Sequence, residues 1–108
     1  MLSISLNELG NIEVDVKFDK DIGIFNNTTL AKKDLEYAWS VYEVINGNNE
    51  LVDSIWYTDQ NIFEYKFDIE KTYNIMSYVR LKDNIDVGIY DTIVVQYNEN
   101  EEMFESTK

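Results

Sequence analysis

The feature that most restricts what this chain can become is a strict two-residue alternation that begins just after a polar corner. In residues 67–81, Phe67 and Ile69 end one apolar run, Glu70 to Thr72 form the corner, and Tyr73 opens the next run. From there Tyr73, Ile75, Ser77, Val79 and Leu81 share one face and Asn74, Met76, Tyr78 and Arg80 the other. Side chains of a strand point to opposite faces in turn, so this period demands a strand and excludes a helix.

The same period recurs along the chain. Residues 3–9 alternate loosely, and Gly10-Asn11 supplies a turn. Over residues 11–19, Ile12, Val14, Val16 and Phe18 oppose Glu13, Asp15, Lys17 and Asp19, the pattern of a half-buried strand with a solvated face. Residues 20–34 lose the period and are expected to form a long connection, with a short helical turn as one option from Leu30 to Lys33. Residues 35–44 are aromatic and β-branched on both faces, which predicts a central strand. Asn46-Gly47 then signals a hairpin, because both residues tolerate positive φ. Residues 50–57 return, Asp59 to Asn61 turn, and residues 62–69 set Phe63, Tyr65, Phe67 and Ile69 on one face.

After an acidic turn at Asp83-Asn84, residues 87–97 form a last strand with Ile89, Ile93 and Val95 inward. Asp91 falls on the inward side, which predicts a bulge or a sheet edge near it. One domain is expected over residues 1–98, with 99–108 an acidic tail that frays. About seven strands at short spacing with no convincing helix predict an all-β fold: an antiparallel immunoglobulin-like or fibronectin type III-like β-sandwich, with a barrel as the alternative closure.

Composition bears mainly on function. There is no cysteine and no histidine, which removes thiol chemistry, thiolate metal sites, the commonest general base and the commonest transition-metal ligand. No glycine-rich phosphate loop is present, and no cofactor is implied. Carboxylate-pair hydrolysis is the one catalytic option left by these residues, and no pair stands out. A net charge of −12 repels phosphate backbones, so nucleic acid is not an expected ligand. No apolar run reaches the length of a membrane span, so no membrane insertion is expected.

Two candidate sites follow from the strand registers. On the outer face of the sheet, Tyr42, Met76, Tyr78, Tyr90 and Val94 project together with Trp56 nearby. Such a strip offers large contact area at low entropic cost to a carbohydrate or a protein partner, or serves only to stabilise the sheet through cross-strand pairs. The second site is acidic: Asp19 and Asp21 in one turn and Asp83, Asn84 and Asp86 in another supply oxygens of the type calcium takes, although neither has the spacing of an EF-hand. Solvated turn formers explain the same residues.

The series Tyr37 to Tyr42, Trp56-Tyr57, Phe67 to Tyr73 and Val79-Arg80 resembles the bacterial triple-tyrosine and fibronectin type III-like sandwich modules. In those families a tyrosine opens the penultimate strand six positions after an apolar residue and ties the corner backbone through its hydroxyl. Phe67 and Tyr73 match that spacing. Trp39 on the third strand is similar to the core tryptophan of immunoglobulin domains, whose cysteine pair is missing here. Ile69 and Val16 stand roughly where fibronectin type III modules carry proline and tryptophan. The resemblance implies fold-determining roles for Phe67, Tyr73 and Trp39, and a non-catalytic accessory module of a larger bacterial surface or glycan-related protein. The alternative, from size and charge alone, is a small acidic inhibitor that mimics nucleic acid.

Overall fold

The computed structural model describes residues 9–108, which form two antiparallel sheets packed face to face with no helix. The strands are β1 (Val14–Asp19), β2 (Ile22–Asn27), β3 (Leu35–Ile45), β4 (Asn48–Thr58), β5 (Ile62–Lys66), β6 (Tyr73–Leu81), β7 (Asn84–Asn98) and β8 (Met103–Thr107). The smaller sheet has the order β1-β2-β5 and the larger β4-β3-β6-β7-β8. The chain is thus an all-β sandwich, of eight strands among the described residues rather than about seven. The strand expected over residues 3–9 lies outside the described residues, apart from Leu9, which bridges Ala31.

Between the sheets lies a core built on aromatic rings. Trp39 is 2% exposed and stacks on Phe63 with centroids 5.4 Å apart, while Phe25 fills the space beside both. Toward one end, Phe67 meets Tyr73 at 4.8 Å and Phe104 at 5.9 Å. Strand β6 buries Tyr73, Ile75, Ser77, Val79 and Leu81 in perfect alternation, as its sequence period requires. The Tyr73 hydroxyl accepts a hydrogen bond from the Asp68 N–H at 3.0 Å. A corner leaves backbone groups without ladder partners, and this bond supplies one of them. Asn46 and Gly47, with φ of 52° and 80°, close the β3–β4 hairpin as their sequence predicts.

Four expectations are corrected. Residues 20–34 are not one long connection, because β2 occupies Ile22–Asn27 and pairs with both β1 and β5. Its inward positions are Gly23, Phe25 and Asn27, so the apolar residues Ile22 and Ile24 sit on the outer face and the usual pattern is inverted. Nor is there a helical turn at Leu30 to Lys33. Ile69 does not continue an apolar face: β5 stops at Lys66, and Ile69 is exposed beyond it. The tail contains a strand, since Met103–Thr107 pairs with Val94 to Asn98 and places Phe104 in the core.

The Asp91 irregularity resolves as an edge. Its register is regular, opposite Ser77, and β8 covers β7 only from Val94 onward, so Asp91 lies where β7 is the sheet edge among the described residues. Its carboxylate reaches Lys108 at 3.9 Å. The bulge falls elsewhere on β7, where Ile85, Asp86 and Val87 intervene between the partners of Leu81 and Arg80.

Candidate functional site

The outer face of the five-stranded sheet can be assembled row by row from its registers. Ala38, Tyr78 and Tyr90 form one row across β3, β6 and β7; Ser40, Met76 and Thr92 form the next; Tyr42, Asn74 and Val94 form the third. On β4 the register slips twice. Trp56 and Tyr57 together stand opposite the single residue Ala38, and Val52 is the extra residue near Tyr42. A bulge of this kind re-aims side chains, and here it brings two consecutive aromatics to one place.

The consequence is a groove of about 420 Å³. Ala38, Ser40, Leu51, Ser54, Ile55, Trp56, Tyr57 and Tyr78 line it. Trp56 is 76% exposed, and its ring stands perpendicular to that of Tyr57 with centroids 5.3 Å apart. Tyr90 extends the surface beyond Tyr78, ring to ring at 5.9 Å, and is itself 63% exposed.

Arg80 holds the aromatic wall. Its guanidinium lies 3.6 Å from the Tyr57 ring centroid and 5.8 Å from that of Trp56, and its Nε donates to Glu36 Oε1 at 2.7 Å. A planar cation between a carboxylate and an aromatic face is attracted by both, so Tyr57 is fixed through Arg80. Burial pushes the hydroxyls of Tyr57 and Tyr78 above the ordinary value of 10.0, the nearby Arg80 charge pulling Tyr57 partly back. The Tyr78 hydroxyl also meets those of Ser40 and Tyr42. Both phenols are therefore neutral hydrogen-bonding groups at physiological pH.

All six residues of the strip read from sequence lie on this face, Val94 in the third row, but they divide. Trp56 and Tyr78 line the groove and Tyr90 adjoins it. Tyr42 and Met76 are half-buried in the sheet surface, with Met76 Sδ accepting from Thr92 Oγ1 at 2.9 Å. Tyr57 and Arg80 were not in the sequence-derived set. The doubled aromatic Trp56-Tyr57 was visible, but only a bulge puts both on one face, and alternation alone assigns them to opposite faces.

The acidic candidates do not converge. Asp21 sits by the start of β6, its carbonyl accepting from the Phe67 N–H at 2.7 Å, whereas Asp83 follows the end of β6. The length of β6 separates them, roughly 3.3 Å for each residue. No group of three or more potential ligands is assembled among the described residues, and Asp83 and Asp86 are exposed hairpin residues. Comparison with protein families, curated proteins and solved structures finds no match for this chain.

The resolved shifts also set an alkaline limit on stability. Burial raises Tyr37, Tyr57, Tyr65, Tyr73 and Tyr78, and hydrogen bonds to Glu43 and Asp59 raise Lys71 and Lys82. Each folded-state value lies above its unfolded one, so the contribution is complete below 10.0 for the phenols and 10.5 for the amines. It is lost as pH rises through the higher folded values. The urea midpoint is expected to fall between pH values below and above this window; a midpoint that stays level would contradict it.

Proposed function

We propose that this chain is a non-catalytic interaction module of a larger protein, binding carbohydrate or a protein partner through the outer face of its larger sheet. The observation that carries the reading is the pairing of a 76% exposed Trp56 with Tyr78 and Tyr90 over a groove on a flat β surface. Exposed aromatic patches of this type mark contact surfaces. The groove lining contains no carboxylate, so carboxylate-pair hydrolysis has no residues to use there.

The immunoglobulin-like affinity, and with it an accessory role in a bacterial surface or glycan-related protein, is supported by strand partition. In such sandwiches strands A, B and E share one sheet and C, F and G the other. In chain order β1, β2 and β5 share one sheet here and β3, β6 and β7 the other, with β4 placed beside the third strand. The Tyr73 hydroxyl bond at the corner adds to this support. Mimicry of nucleic acid receives less: on the smaller sheet Asp15, Asp19 and Glu64 are interrupted by Lys17 and Lys66, which leaves no unbroken row of carboxylates.

The test is a glycan array together with pull-downs, using the wild type and a Tyr78→Ala/Tyr90→Ala variant. Ligand signals that vanish in the variant support the reading. Signals that all survive it would place binding elsewhere.

A further inference from the structure

The groove carries no charge, in a chain where charge is everywhere else. Of all residues 28% are Asp, Glu, Lys or Arg, and the net charge is −12, yet the eight lining residues are Ala38, Ser40, Leu51, Ser54, Ile55, Trp56, Tyr57 and Tyr78. The cation beside it, Arg80, is neutralised by Glu36 and covered by the Tyr57 ring. What the groove does offer is aromatic surface and the hydroxyl-bearing residues Ser40, Ser54, Tyr57 and Tyr78, of which Ser40 and Tyr78 also meet each other.

Resting on the reading above, we infer that this groove takes an uncharged glycan, one pyranose ring lying against Trp56 and its neighbours reaching toward Tyr90. A pyranose has an apolar face of C–H groups and an equatorial rim of hydroxyls. The C–H groups carry slight positive charge and suit the electron-rich face of an indole, and the rim suits serine and tyrosine hydroxyls. The volume falls in the range of small-ligand sites. Tyr90, 5.9 Å from Tyr78, continues the platform for a further ring.

The same chemistry selects against the other occupants. Uronic and sialic acids would approach against the field of a −12 chain. A basic protein would be drawn by that field, but its lysines and arginines would find no carboxylate in the groove to pair with. A neutral glycan has neither difficulty.

The two tryptophans make the test direct. Trp39 is 2% exposed and shielded from acrylamide, so quenching of the emission reports Trp56. Cellohexaose, xylohexaose, mannohexaose and maltohexaose are titrated as neutral probes, with polygalacturonate as the anionic one, at low and high salt. The expected result is that at least one neutral hexasaccharide protects Trp56 from acrylamide with an affinity independent of salt. Trp56→Ala, read by calorimetry, weakens it by about tenfold or more.

Absence of binding by every neutral probe overturns the inference, as does binding of polygalacturonate alone or neutral binding that survives Trp56→Ala. If no neutral probe binds and a protein or anionic ligand is captured in dependence on Tyr78 and Tyr90, the neutral-glycan inference fails while the binding face stands. If no captured ligand depends on those residues, both fail.

Discussion

Phe104→Ala is expected to destabilise the domain by about 3–5 kcal/mol, the range for truncating a buried phenylalanine. Phe104 is 4% exposed and packs against Phe18, Phe67 and Tyr97, with centroids 6.0, 5.9 and 5.2 Å away. Removing it opens a cavity at the end of the core that holds the Tyr73 corner, and the surrounding rings close over such a space only in part. A small domain has about 5–15 kcal/mol in total, so the loss is a large fraction of its stability. Urea unfolding of the two proteins measures it, with Phe104→Leu as a milder comparison. A change under about 1 kcal/mol would mean that β8 lies outside the cooperative unit and that the tail behaves as its composition suggests.

That composition is why β8 is hard to read in the sequence. Only Phe104 in Met103–Thr107 is both apolar and inward, so no period can be recognised. The acidic residues before it belong to a turn: the Asn98 side chain accepts from the N–H groups of Asn100 and Glu101, and Glu102 takes a φ of 54°. A short edge strand needs little hydrophobic pattern when the neighbouring strand supplies its ladder. By contrast β1 and β6 are legible through one face set by the core, and β3 through the aromatic and β-branched residues on both of its faces.

Strand β2 was hidden by a different cause. Gly23 is inward by register, and a Cβ there would stand 2.5 Å from Phe67 Cε2, so the ring of Phe67 occupies the space a side chain would need. Which glycine makes room for which ring is a tertiary fact with no local signature. The site was partly legible in the same way. Alternation placed Tyr78 and Tyr90 together, but the groove depends on Trp56 and Tyr57 sharing a face, and bulges leave no period to detect.

Asn27 is the other reason the sequence conceals β2, and it provides the second large prediction. It ends β2 on the inner face at 1% exposure, where a strand pattern calls for an apolar residue. Its Nδ2 donates across the core to Ser77 Oγ on β6 at 3.2 Å, and its Oδ1 accepts from the Thr29 N–H at 3.0 Å. Ser77 is wholly buried and Thr29 is 6% exposed, so neither has ready access to water if Asn27 is lost. Each buried group left without its partner costs about 1–3 kcal/mol, which puts Asn27→Ala at roughly 2–6 kcal/mol by urea unfolding. Ser77→Ala alone leaves the Asn27 amide without its acceptor and is also destabilising. The double variant removes both ends of the bond, so it is expected to be less destabilised than the sum of the two, with a coupling of about 0.5–3 kcal/mol. Strict additivity would show that the two side chains do not interact. This hydrogen bond joins the smaller sheet to the larger across the core.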